Sequence, residues 1–342
     1  MRRAACIGLL ACGLAVVASA RSVAQVPGGL GPERVLTDRF GLSDAELGQL
    51  RGGQVVTKIL PIQGPEMAVF GAVRIPDDKV RLVRWIRDIE GFRKAADLGL
   101  SRKISSPLAI NDFGELALDS GELQALARCK PGDCALRLGD RAIARFQTEV
   151  DWAAADAGRR ANLLTRQLLL GYAEAYLRGG DGALGAAHNE RTPRLVADGF
   201  QELIRDASNL AALAPSLATY LERYPAAPSV PVEEFLYWAK GGLGTEPSIT
   251  LHHLVIQRDP GGSVFIVNKQ LYASRYIDTS MLTLWLASPP DGRGYYLLAG
   301  VRGRSSMLED FTARLLRGRI EEESRSYIQI YLDWLRKSLT PA

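Results

Sequence analysis

The stretch SITLHHLVIQRDPGGSVFIVNKQLYASRYID, residues 248–278, decides the fold class. Ile249 to Gln257 is apolar and rich enough in β-branched residues to read as a strand. Asp259-Pro260-Gly261-Gly262 is a turn, and Ser263 to Ile277 reads as a second, long strand. Met281 to Ala287 and Gly294 to Val301 follow as two more strands, separated by the turn Pro289-Pro290-Asp291-Gly292. Connections this short join antiparallel neighbours, because a parallel crossover takes a dozen residues or more. The late chain is therefore an antiparallel meander. From about Ser306 to Ser338 a helical stretch closes it, with an apolar stripe through Leu308, Phe311, Leu315, Ile320, Tyr327, Tyr331 and Trp334 and a bend point at Gly318.

Upstream, Gly241-Gly242-Leu243-Gly244 separates the meander from a block read as helical. Its segments are residues 121–128, 139–149, 156–178, 194–207, 210–224 and 232–240. In the longest, Leu164, Leu168, Tyr172 and Tyr176 step by four along one face. Before the block, Gln54–Leu60 and Met67–Ile75 read as strands, and Asp77 starts a helix carrying Val80, Val83, Trp85, Ile86 and Ile89. Ser43-Asp44-Ala45-Glu46 fits a capping box for a short helix that ends at Gly52-Gly53. Residues 21–42, rich in Gly, Pro and Arg, read as a loose leader. The predicted fold class is α+β: a curved antiparallel sheet gripping a long C-terminal helix. Residues 43–110 and 245–342 form this core, and residues 111–244 are a large helical insertion. Such a sheet must bury its apolar face, and the closing helix is the predicted cover. The groove between them suits a lipid-like ligand.

The first twenty residues read as a secretory signal peptide. Arg2 and Arg3 give a basic start, residues 4–17 are apolar but too short to span a bilayer, and Ala18-Ser19-Ala20 is a small-x-small cleavage site. A periplasmic or secreted protein cleaved after Ala20 is expected. Leu9-Leu10-Ala11-Cys12 resembles a lipobox, the alternative, but the apolar run continues past Cys12 and favours unlipidated secretion. Cys129 and Cys134 flank Lys130-Pro131-Gly132-Asp133, a turn that brings them together, so a structural disulfide is expected in an oxidising compartment. The net charge of +4 falls to +2 once Arg2 and Arg3 are removed. That balance excludes a strongly basic nucleic-acid binder and an acidic disordered chain.

Gly71-Ala72-Val73-Arg74-Ile75-Pro76, followed by a helix carrying Trp85, Asp88 and Phe92, resembles the opening of START-like, helix-grip domains. The meander and closing helix resemble the rest of that fold, so the likeness covers roughly residues 52–105 and 245–340. The helical block departs from the family plan and enters as an insertion. The strand Lys269-Gln270-Leu271-Tyr272-Ala273-Ser274 is similar to one in secreted bacterial proteins without an assigned role, and that likeness implies no activity.

Gly180-Asp181-Gly182-Ala183-Leu184-Gly185 matches G-x-G-x-x-G, but a dinucleotide site needs a strand before it and here a long helix precedes. The motif reads as a helix end and a turn. No nucleophile elbow, zinc-protease helix or phosphate-binding loop occurs, so neither a cofactor nor a metal is implied. His188 lies in a polar loop. His252 and His253 are adjacent on a strand and project to opposite faces, His253 being the one expected in the groove. On the long strand one face carries Phe265, Val267, Lys269, Leu271 and Arg275, and the other Asn268, Gln270, Tyr272, Ser274 and Tyr276. Lys269 and Arg275 need partners, either an anionic ligand head group or a carboxylate. Tyr272 and Tyr276 make the second face an alternative ligand side, and a bulge exchanges the two faces. The candidate ligand-binding residues are therefore His253, Lys269, Tyr272, Arg275 and Tyr276.

The leading expectation is a carrier of a hydrophobic or lipid-like molecule. Arg302, Arg304, Arg314, Arg317 and Arg319 are candidates for peripheral membrane contact. Two alternatives stand beside it. One is a hydrolase or cyclase-like enzyme in the same groove, with His253 as acid–base and Lys269 as electrostatic stabiliser. The other is a non-catalytic envelope protein that docks through its helical block.

Overall fold

The computed structural model describes residues 31–340 except 63, 207, 242–245 and 310. The signal-peptide segment, residues 21–30 of the leader and Gly242-Leu243-Gly244 lie outside the described residues. The chain opens with helices α1 (Pro32–Phe40) and α2 (Asp44–Arg51), followed by strands β1 (Val56–Leu60) and β2 (Glu66–Ile75). Helices α3 (Lys79–Arg87) and α4 (Ile89–Ala95) and strand β3 (Leu100–Lys103) come next. The helical block holds α5 (Ser120–Arg128), α6 (Asp140–Glu149) and α7 (Ala157–Gly179). A two-residue hairpin, β4 (Ala186–Ala187) and β5 (Arg194–Leu195), leads to α8 (Val196–Asp206), α9 (Ser208–Leu213) and α10 (Pro215–Arg223). Strands β6 (Val232–Gly241), β7 (Ser248–Arg258), β8 (Val264–Ala273), β9 (Thr279–Ala287) and β10 (Tyr295–Arg304) precede the closing helix α11 (Phe311–Leu339).

Eight strands form one open antiparallel sheet in the order β1-β2-β10-β9-β8-β7-β6-β3. The fold is α+β, with the meander β7 to β10 at its centre and α11 packed on β1 and β2. Helices cover both faces. On one, α3, α4 and α11 pack against Val73, Ile266, Leu286 and Leu297. On the other, α1, α2, α9 and α10 pack against Phe70, Val267 and Trp285, and α5 to α8 pack against Trp238, Leu251 and Leu271.

Four readings need correction. Residues 32–40 of the supposed leader form α1, with Pro32 in its first turn and Gly41 closing it at φ 64°. Burial of Val35 and Leu36 on the sheet stabilises a helix too short to persist alone. Residues 232–240, read as helix, are strand β6, paired with β7 from Val232↔Gln257 to Gly241↔Ser248. Both its faces are covered, Tyr237 and Ala239 on one and Leu236 and Trp238 on the other. Its middle is therefore continuously apolar and carries no alternation to distinguish it from a buried helix. Residues 210–224 break at Ala214 into α9 and α10, because Pro215 cannot continue the preceding helix. The strand read as 263–277 ends at Ala273, and β8 carries a bulge: Leu251 pairs with Tyr272 and His252 with Gln270, so Leu271 is the extra residue.

The crossing of α11 over β2 is set by Gly71. A Cβ built there lies 2.6 Å from both Ile328 Cγ2 and Leu332 Cδ1. The helix thus sits directly on the backbone and leaves no groove at this crossing. Gly71→Ala should lower stability by about 1–3 kcal/mol through overpacking. Combined with Leu332→Ala, it should cost less than the two single changes added. Urea denaturation of the four proteins checks this, and strict additivity would mean the crossing is loose.

Candidate functional site

Lys269 and His253 are register partners on β8 and β7, so both project from the sheet face turned to α7 and α8. Lys269 is fully buried. Its Nζ lies 2.5 and 2.6 Å from the two carboxylate oxygens of Asp181 and 4.2 Å above the Phe200 ring. Asp181 comes from the single 3-10 turn Gly180–Ala183 directly after α7, which is the glycine-rich motif of the sequence. Gly180 has φ 61°, and a Cβ there falls 2.0 Å from the Tyr224 carbonyl oxygen. Only glycine turns the chain this tightly, and the turn delivers the carboxylate to Lys269.

A second chain of bonds runs beside this pair. Tyr176 Oη is 2.8 Å from His253 Nδ1, and His253 Nε2 is 2.9 Å from Glu234 Oε2. The Tyr220 hydroxyl donates to the same Glu234 oxygen at 2.5 Å. Tyr224 stacks on Tyr176 at 4.7 Å and leans on His253 at 4.8 Å. Burial pulls His253 below the ordinary imidazole range, and Glu234 offsets this only in part. Burial raises Glu234, but the bonds from His253 and Tyr220 more than offset it and hold the carboxyl below its usual value. Burial also drives Tyr176 well above the usual phenol range. Neutral His253 therefore donates from Nε2 to the Glu234 carboxylate and accepts at Nδ1 from the Tyr176 hydroxyl. The order hydroxyl–imidazole–carboxylate is that of a catalytic relay. Tyr176 is nonetheless inaccessible and firmly protonated, so the chain pins α7 to the sheet.

One turn before Tyr176 on α7, Tyr172 opens onto a cavity of about 520 Å³ between α6, α7 and the ends of β7 and β8. Leu136, Phe146, Leu168, Leu271 and Tyr272 are among the residues that line it. The bulge places the consecutive residues Leu271 and Tyr272 on this one wall, which regular alternation forbids. The two tyrosine rings meet edge-on at 5.7 Å. Tyr172 donates to the Leu271 carbonyl at 2.9 Å and Tyr272 to the Arg137 carbonyl at 3.0 Å. Arg137 and Asp278, both in the wall, form a buried ion pair, and Asp278 also accepts from the Ser306 amide at 2.7 Å. The Cys129–Cys134 disulfide, with Cα atoms 4.4 Å apart, ties the end of α5 to the segment that supplies Leu136 and Arg137.

Of the five candidate residues, Tyr272 lines the cavity. His253 and Lys269 belong to the adjoining buried network. Arg275 pairs with Glu246 at 2.6 Å. Tyr276 sits at φ 63°, its carbonyl accepting from the Ser305 hydroxyl at 2.5 Å. For Lys269 and Arg275 the partner seen is thus a carboxylate. Among the cations considered for membrane contact, Arg302 pairs with Glu66, Arg304 with Glu202, Arg317 with Glu321 and Arg319 with Glu323. Asp181, Glu234, Arg137 and Tyr172 were not among the sequence candidates. Tyr172 carried a signal in the four-residue stripe of α7, and Asp181 lay in the glycine-rich turn, whereas Glu234 and Arg137 carried none. No family model matches the chain, and no curated protein sequence matches it. Among the described residues no group of three His, Cys, Asp or Glu side chains is placed to hold a metal ion.

Asp181→Asn leaves the Lys269 charge buried without an anion and should cost about 3–5 kcal/mol. Lys269→Met with Asp181→Leu should cost less than that single change. Urea midpoints of both variants decide it, and a silent Asp181→Asn would mean the pair is not closed to water.

The histidines give a pH signature. Burial holds His253 below, and His252 well below, the ordinary value near 6.5. Below about pH 6.5 the unfolded chain takes up protons that the fold refuses, so stability falls as pH falls. Each neutral histidine contributes up to about 1.4 kcal/mol per pH unit in that window. Denaturation midpoints between pH 5 and 8 should show this slope, and His253→Gln should reduce it by one proton. An unchanged slope would place a proton on His253 in the fold.

Proposed function

We propose that the protein is an extracytoplasmic binding or carrier protein for a hydrophobic or lipid-like molecule, held in the cavity beneath α6 and α7. The observation that carries this reading is the cavity itself. It is an open cleft of about 520 Å³, mostly apolar but bordered by Arg137, Arg141, Arg145, Gln167 and Asp278, and this size and mixture have the character of a small-molecule site. Its position differs from the groove expected beneath α11, where Ile328 and Leu332 rest on Gly71. The compartment rests on the signal-peptide pattern and on the Cys129–Cys134 disulfide, which fits an oxidising environment. Among the described residues, no helix is long and apolar enough to cross a membrane.

Mass spectrometry of organic extracts from the purified native protein should find a co-purifying hydrophobic molecule. Gly171 supplies the control. It borders the cavity, and a Cβ built on it meets nothing within 4 Å. Gly171→Ala should stabilise α7 by about 0.5–1 kcal/mol. Gly171→Trp should fill the cavity mouth and abolish co-purification and uptake of a fluorescent hydrophobe, with the fold intact. Undiminished uptake by a folded Gly171→Trp would remove the cavity as the binding site.

A further inference from the structure

The polar side chains that line the cleft under α6 and α7 are almost all engaged by the protein itself. Arg137 pairs with Asp278, and Arg145 is held by both carboxylate oxygens of Glu149. Asp140 bonds the His188 ring rather than its neighbour in sequence, Arg141. Thr165 donates to the Ala161 carbonyl, and the hydroxyls of Tyr172 and Tyr272 donate to the carbonyls of Leu271 and Arg137. Two side chains of the lining remain, Arg141 of α6 and Gln167 of α7, which have no hydrogen-bond or ion-pair partner among the described residues. Arg141 is therefore a cation at the cleft with no carboxylate against it.

The helix that carries it is amphipathic toward the cleft. Arg141, Ala142, Arg145 and Phe146 of α6 all line it, two adjacent pairs one turn apart on a single helix face. Ala142 and Phe146 make an apolar strip, and Arg141 and Arg145 a cationic strip beside it. Phe146 is buried with Leu136 and Leu271, whereas Arg141 is exposed, so the apolar surface lies deep and the free guanidinium stands at the solvent edge. A guanidinium matches a carboxylate with two parallel N–H···O bonds, and a single one neutralises a single negative charge. Gln167, also at the solvent edge, adds a neutral amide donor.

We propose that the ligand of this cleft is an amphiphile ending in one carboxylate, its chain lying against Leu136, Phe146 and Leu271 and its carboxylate on Arg141. This rests on the cleft being the binding site and adds the charge and the polarity of what it takes.

The test is calorimetric titration of the purified native protein with octanoate and with octanol, which share a chain and differ in charge. Octanoate should bind saturably and about fivefold or more tightly than octanol at low salt. Raised salt should shrink that preference, because an ion pair at a solvent edge is screened. Arg141→Gln should bring octanoate to the level of octanol without moving the urea midpoint or the affinity for octanol, and Arg141→Lys should keep part of the preference. Gly171→Trp should abolish binding of both. Equal affinities in the unaltered protein, or a preference that survives Arg141→Gln, would overturn the proposal and leave the cleft as the binding site if Gly171→Trp still removes both ligands. Binding of neither ligand, or binding indifferent to Gly171→Trp, would overturn the cleft as the site and this proposal with it.

Discussion

An antiparallel sheet that is apolar on both faces has to be covered twice, and the rest of this structure follows from that requirement. The central strands leave little polar surface. On β8, Val264 and Ile266 face one way while Phe265 and Val267 face the other, and all four are buried. One helix cannot shield eight strands on two sides. The chain therefore divides its helices, with α3, α4 and α11 on one face and the N-terminal pair plus the helical block on the other. Each cover needs its own means of attachment. Under α11 it is the bare backbone of Gly71, which lets Ile328 and Leu332 approach to contact distance.

On the other face the attachment is polar. Lys269 with Asp181, and Tyr176 with His253 and Glu234, join α7 and the turn after it to the middle of the sheet. Buried pairs of this kind contribute little net stability compared with apolar packing, but they are expensive to mispair. In this protein they fix where α7 lies along the sheet. With α7 fixed at Tyr176, the preceding turns bridge the bulged end of β8, and the space between them is the cavity lined by Tyr172 and Tyr272. The ion pair thus holds the roof of the cavity, whose wall is mostly apolar. His253 is itself buried between a sealed Tyr176 and an ionised Glu234, which fixes its tautomer, and only the half-exposed Glu234 carboxylate connects the chain to solvent.

The sequence by itself determined the meander, the closing helix, the capping box at Ser43, the disulfide turn, and the opposite facing of His252 and His253. These are local properties: turn chemistry, helical or two-residue periodicity and short loop lengths act within a dozen residues. The α+β class follows from them. Only the tertiary structure decided the rest. It made a strand of residues 232–241, because a segment buried on both faces loses the alternation that identifies it. It made a helix of residues 32–40, because the sheet supplies the apolar surface that Val35 and Leu36 lack alone. It brought Asp181 to Lys269 across 88 positions and Glu234 to His253 across 19, pairings that no local pattern encodes. It also moved the cavity from one face of the sheet to the other. A single extra residue, Leu271, turns a strand's side chains onto a new wall, and whether a bulge forms there depends on the register with β7 rather than on β8 itself.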